Sequence, residues 1–145
     1  MERVTDAELA AWRSFIKAHA RIIERIEADL AEQKRVPLTT YDVLIALFEA
    51  PERKLRLGEL TNKLVLTKSG ITRLVDRLEK EGLLVREKSE SDRRVAYAVL
   101  TAEGEAQMRK AWPIYAKGIK SYFVSPLTED QIGSINAAFE AIQRA

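Results

Sequence analysis

Within the segment TKSGITRLVDRLEKEGLLVREKSESDRRVAYAVLT, Thr67 to Thr101, the spacing of apolar residues changes from a helical to an extended period. Projected at about 100° per residue, Lys68 to Glu81 gathers Ile71, Leu74, Val75 and Leu78 into the stripe of an amphipathic helix. Ser69, Thr72, Arg73, Asp76, Arg77 and Lys80 fall on the opposite face. Thr67 is placed to cap the first backbone amides and Gly82 to supply the left-handed residue that stops the helix. Gly70 costs about 1 kcal/mol relative to alanine inside a helix, and it reads as room for a neighbouring helix or a phosphate. After Gly82, Leu84 and Arg86 lie on one side of Val85 and Glu87, and Val95, Tyr97 and Val99 alternate with Ala96, Ala98 and Leu100. That is a two-stranded ribbon. Its connection, Lys88 to Arg94, is too polar to be buried and puts Arg93 and Arg94 near the tip. The major groove of duplex DNA, about 12 Å wide, admits a helix, and the minor groove admits an arginine side chain. Any surface helix has a polar face and any hairpin a polar turn; the succession of the two is what points to a double helix.

The rest of the sequence narrows the alternatives. A chain of 145 residues is one domain's worth, able to bury about two thirds of its unfolded surface. Cysteine is absent, which excludes disulfides, thiolate metal sites and thiol redox sensing. The charged N-terminus MERVTDAELA lacks the apolar core of a secretory peptide, and the longest apolar run, Val43 to Phe48, is far short of a membrane span. A cytoplasmic protein without membrane association is expected. Residues 51 to 100 hold 12 Lys+Arg against 8 Asp+Glu, whereas the remainder holds 12 against 14, so positive charge is concentrated on the segment suspected of facing phosphate. There is no nucleophile elbow, phosphate loop or metal-ligand cluster, and the single histidine cannot form a multi-histidine site. Neither enzymatic activity, metal nor cofactor is expected.

From the N-terminus, Thr5 to about Lys34 is one helical pattern without Gly or Pro, with Leu9, Trp12, Ile16, His19, Ile23, Ile26 and Leu30 on one seam, widened by Phe15 and Ile22. Such a helix spans about 45 Å, longer than the roughly 40 Å diameter of a compact globule of this size, so its seam calls for a second chain. His19 on that seam reads first as a hydrogen-bonded core histidine and second as a ligand contact or pH-sensitive group; Trp12 reads first as packing. Val36-Pro37 ends the helix, and Thr39 with Asp42 resembles a capping box for a second, core helix from Tyr41 to Glu49. Leu55 to Leu57 can add a short strand to the ribbon. A third helix, Leu57 to Leu64, is separated from the Thr67 helix by only Val65 and Leu66, a helix-turn-helix spacing. Thr101 to Tyr122 is helical with a kink expected at Pro113. Thr128 to Gln143 repeats the three-four spacing with Ile132, Ile135, Phe139 and Ile142, and first and last helices are expected to share an interface. The expected fold is mainly α with a small β-ribbon.

The run Thr67 to Leu83, together with Asp92-Arg93-Arg94 leading through Val99-Leu100-Thr101 to Gly104, resembles the MarR family of winged helix-turn-helix transcriptional regulators. The resemblance covers nearly the whole chain. It implies a cytoplasmic homodimer held by residues 1–36 and 102–145, with residues 37–101 as the DNA-binding lobe. It also implies a repressor that binds a pseudo-palindromic double-stranded operator and is released by a small aromatic or anionic effector. By position, Lys68, Ser69, Thr72, Arg73 and Arg77 would contact bases and phosphates; Arg94, beside Arg93, would enter the minor groove with Asp92 holding its guanidinium. Asp76, on the same face, would orient Arg73 or Lys80 or accept from a cytosine amino group. Trp12, His19, Tyr41 and Trp112 are the candidate effector contacts. The alternative is a winged helix that uses the same face on another protein.

Overall fold

The computed structural model describes residues 2–64 and 68–145. In order, the elements are α1 (Asp6–Glu32), α2 (Leu38–Glu49), a 3-10 turn (Pro51–Arg53), β1 (Lys54–Arg56), α3 (Leu57–Lys63), α4 (Lys68–Lys80), β2 (Leu84–Lys88), β3 (Ala96–Leu100), α5 (Ala102–Gly118), a π-helical turn (Ile119–Val124) and α6 (Glu129–Arg144). They fall into two compact units, Leu30–Pro113 and the pair Met1–Asp29 with Ile114–Ala145. The expected cap at Thr67 and the Val65-Leu66 connection lie outside the described residues.

In the unit Leu30–Pro113, the stripe foreseen on α4 is the buried one: Ile71, Leu74, Val75 and Leu78 all lie in the core. Burying four such aliphatic side chains contributes about 6 to 12 kcal/mol, an upper estimate. The same core holds Val43, Leu44 and Leu47 of α2, Leu60 of α3 and Leu84 of β2, all fully buried. Gly82 has φ 79°, and the amides of Gly82 and Leu83 donate to the carbonyls of Glu79 and Leu78, each at 3.0 Å, closing the helix end before the chain extends. The sheet is antiparallel with order β1-β3-β2. Val85 faces Val99, and Leu55 faces Ala98.

Two boundaries differ from expectation. α2 begins at Leu38, with Pro37 as its N-cap at φ −65° and no side-chain cap. The Pro37 carbonyl accepts the Tyr41 amide at 2.9 Å; proline's fixed φ and missing N–H suit that position, and starting there brings Leu38 into the core. α5 runs through Pro113, as the helical stretch from Thr101 foresees, but as an α-helix stops at Gly118, short of Tyr122, and widens into the π turn. A proline forfeits one backbone bond, and the ladder on either side carries the helix through. Thr101 caps α5, its hydroxyl accepting from the Gly104 amide at 3.0 Å and donating to the Gly82 carbonyl at 2.7 Å. An added Cβ on Gly104 would strike the Leu83 carbonyl oxygen, so α5 starts against the root of the ribbon at a distance only glycine permits.

In the other unit, Thr5 accepts the Glu8 amide at 3.1 Å at the start of α1, and Thr128 and Gln131 form a reciprocal capping box on α6. Phe15 and Phe139 pack with ring centroids 5.4 Å apart, so α1 and α6 do share an interface. Tyr122 donates to Asp29 at 2.6 Å, and Ile26 packs against Gly118.

Candidate nucleic-acid interface

With its apolar stripe committed to the core, α4 turns Ser69, Thr72, Arg73, Arg77 and Lys80 outward, all exposed. Arg73 forms no hydrogen bond or ion pair with any of the described residues. The Lys68 side chain lies outside what is described. Arg77 is partly engaged: Nη2 lies 3.5 Å from the Thr40 hydroxyl, and Nε 3.8 Å from a Glu81 carboxylate oxygen. Thr40 is itself buried on α2, so Arg77 supplies a donor to a polar group that would otherwise depend on its own helix. It ties α4 to α2 as well as facing solvent.

The ribbon tip is closed by its own polar atoms. The Ser89 amide donates to the Val95 carbonyl and the Val95 amide to the Asp92 carbonyl, each at 3.0 Å. The Asp92 carboxylate accepts three times from Arg94: from the backbone amide at 3.0 Å, from Nε at 3.2 Å and from Nη2 at 3.3 Å. Aspartate two residues ahead of an amide closes such a turn readily, and the fork of the guanidinium matches the carboxylate. Those bonds, with the more distant Arg56 charge, hold the Asp92 carboxyl below its ordinary range. The Arg94 side chain is nonetheless 91% exposed. It is therefore oriented without being covered. Arg93 beside it is also exposed.

Asp76 does not orient Arg73 or Lys80 as expected; it accepts from Nη2 of Arg86 on β2. Glu79 accepts the Arg86 amide at 2.9 Å and lies 3.4 Å from Nη1. Sequence reasoning passed over Arg86, although one signal was present: alternation places it on the side of Leu84, the buried face of the strand, where a cation calls for carboxylates. Arg56 was also passed over. It lies opposite Tyr97 in the sheet register, and that phenol, with the charges of Glu59 and Asp92, raises its pKa further. With Asn62 and Arg94 it lines a groove of about 590 Å³ between α3 and the ribbon.

The candidate effector residues form two groups, one in each unit. Trp12 and His19 lie on α1 to either side of Phe15, with ring centroids 6.1 and 6.4 Å from it. Trp12 is 60% exposed and, with Phe15, Phe139 and Ile142, lines an apolar groove of about 640 Å³. His19 is exposed on this chain, so the reading as a core histidine is corrected; on the seam it shares, Trp12 and Ile16 are exposed while Ile26 and Leu30 are buried. Tyr41 is buried and stacks on half-exposed Trp112 at 6.2 Å and 19°.

A helix presented on a three-helix core by a short preceding helix, with a β-ribbon beside it, defines a winged helix-turn-helix protein. The MarR family model matches residues 36–95. The chain is 32% identical over 133 residues to the HTH-type transcriptional regulator YkoM of Bacillus subtilis, covering 90% of this chain and 84% of that relative. Sco3205, a MarR family transcriptional regulator from Streptomyces coelicolor crystallised in complex with DNA, matches with TM-score 0.92 and 30% identity over 99% of this chain and 89% of its own. AbsC, a MarR family regulator from the same organism, matches with TM-score 0.90 and 28% identity over 99% and 97%. The chain belongs to the MarR family, and it is a DNA-binding transcriptional regulator, not an enzyme. Among the described residues no helix is long and apolar enough to cross a membrane.

Proposed function

We propose that this regulator binds a pseudo-palindromic operator as a homodimer, one α4 in each of two successive major grooves, and represses until a small aromatic or anionic molecule binds. The observation that carries the DNA geometry is the Asp92–Arg94 pair, a guanidinium held by three hydrogen bonds yet almost wholly exposed at the ribbon tip. A minor groove offers such a group negative potential and a narrow slot. Lys68, Ser69, Thr72, Arg73 and Arg77 of α4 read bases and phosphates, and Arg93 adds a phosphate contact. The wing, in this reading, sets affinity and shape preference, while α4 sets sequence.

Residues 1–36 and 102–145 serve dimerisation, and residues 37–101 serve DNA. What supports a second copy is the uncovered seam, with Trp12, Phe15, Ile16 and Ile142 between 43% and 69% exposed; contiguous apolar surface of that kind marks an interface. For the effector, Trp112 over Tyr41 offers a ring face to a planar molecule, and Trp12 and His19 are the further candidates. Because the chain has two tryptophans, Trp12 and Trp112, a hydroxybenzoate bound at either reports through their fluorescence, and Trp112→Phe or Trp12→Phe assigns the site. Unchanged emission at millimolar hydroxybenzoate removes that ligand class.

The reading is tested by selecting retained sequences from random duplexes. Recovery of a site with two-fold symmetry and half-sites about 34 to 36 Å apart is expected. Recovery of no preferred sequence rejects it.

A further inference from the structure

Arg86 makes three interactions with two positions of α4, through its backbone amide and Nη1 to Glu79 and through Nη2 to Asp76. Asp76 and Glu79 are three residues apart and so share one helix face. Asp76 is also one turn from Thr72, Arg73 and Lys80, the groups offered to DNA in the reading above. Two carboxylates there oppose phosphate. Yet both bend toward the ribbon and meet a guanidinium that is only 31% exposed, while they remain 47% and 38% exposed.

We infer that Arg86 is a positioning residue for DNA binding: it holds the Asp76 and Glu79 carboxylates against the root of the wing and withdraws their charge from the surface that meets phosphate. This rests on the DNA-binding geometry proposed above. With Arg86 present the cluster carries one net negative charge; without it, two. An ordinary exposed ion pair contributes little because water competes for both partners. Here one residue is held at the strand backbone and at both guanidinium ends, so its side chain is already ordered and the carboxylates lose little further freedom by pairing. The arrangement also explains how a recognition helix tolerates two acidic residues beside its cations.

The test compares wild type, Arg86→Met and the triple variant Asp76→Asn, Glu79→Gln, Arg86→Met on the selected duplex, by fluorescence anisotropy, with thermal melting in parallel. An extra unpaired charge about 8 Å from phosphate in each half-site weakens binding roughly sixfold at the dielectric constant of bulk water, so Arg86→Met should bind about that much more weakly than wild type. Removing the carboxylates in the triple variant leaves the cluster uncharged and should restore affinity to at least the wild-type value, a recovery that a role in folding alone does not produce. If Arg86→Met does not fold, Arg86→Lys takes its place, with intermediate affinity expected. A wild type that binds while Arg86→Met binds equally well overturns this inference alone, as does weakened binding that the triple variant fails to restore. A wild type that retains no duplex overturns the DNA geometry and this inference with it.

Discussion

Replacing Arg94 with alanine removes one cation from each wing and disturbs little else. Its side chain is 91% exposed, and its hydrogen bonds run to Asp92, two residues away in the same turn. Among the described residues its hydrogen bonds and ion pair run to Asp92 alone, so the melting temperature should stay close to the wild-type value and the subunit association unchanged. For DNA the effect is large. A unit charge about 4 Å from a phosphate is worth a factor of roughly five even at the dielectric constant of bulk water, and two wings together make about 30-fold. The salt response supplies a second, independent magnitude. Each phosphate contact contributes about −0.9 to the slope of log affinity against log salt, so losing two flattens the slope by about 1.8. Between 50 and 200 mM salt that flattening amounts to roughly a twelvefold smaller drop in affinity. Fluorescence anisotropy on the selected duplex across that range reads both quantities. Equal affinity and an equal slope for wild type and variant would refute the role given to the wing.

Other perturbations separate fold from function. Gly104→Ala places a Cβ against the Leu83 carbonyl and 2.8 Å from Leu100 Cδ1; overpacking of about 1 to 3 kcal/mol, offset by about 1 kcal/mol of helix propensity, should lower the melting temperature by up to roughly 8 °C, and a melt raised above wild type would contradict the close approach. Ile142→Glu, at a side chain 69% exposed, should leave the melt of the chain's core intact while shifting sedimentation toward the monomer; an unaltered dimer would place the subunit contact elsewhere. The Asp92 carboxyl, depressed in the folded chain by Arg94, stabilises the wing turn above the pKa of an unpaired aspartate, and that contribution is lost only as pH falls through its own lower value. An NMR titration of Asp92 should therefore show a midpoint below that of an ordinary aspartate, moving back up in Arg94→Ala; a midpoint at or above the ordinary value would break the pairing.

Much of the fold was legible because it is local. The stripe of Ile71, Leu74, Val75 and Leu78, the stop at Gly82, the cap at Thr101 and the box of Thr128 with Gln131 each depend on residues within a turn or two, and all are present. What escaped depends on distant neighbours or on competition between local signals. Thr39 and Asp42 imitate a helix start, but Pro37 is already a workable one and Leu38 has a core to join. The strand order β1-β3-β2 is set by which edge the chain can reach, which alternation does not reveal. The helix from Thr101 does run through Pro113, but its change to a π turn at Ile119 leaves no mark in the three-four spacing. Asp76 was assigned to cations on its own helix because those are visible along the sequence; its partner Arg86 comes from the next element. His19 sits on an apolar seam, which in a single chain suggests a core, but only the far end of that seam, Ile26 and Leu30, is buried, and the stretch with Trp12, Ile16 and His19 is exposed. The Asp92–Arg94 pair was foreseen by resemblance to a family pattern and is formed.

Hydroxyl-radical footprinting of wild-type protein on the selected duplex probes the paired clamp most directly, since it maps both α4 faces and both wings at once. Two protected segments on one side of the helix, about 34 to 36 Å apart, each flanked by a protected minor groove that becomes accessible with Arg94→Ala, are expected. A single protected segment, or two without any minor-groove protection, would contradict the binding of two copies through helix and wing together.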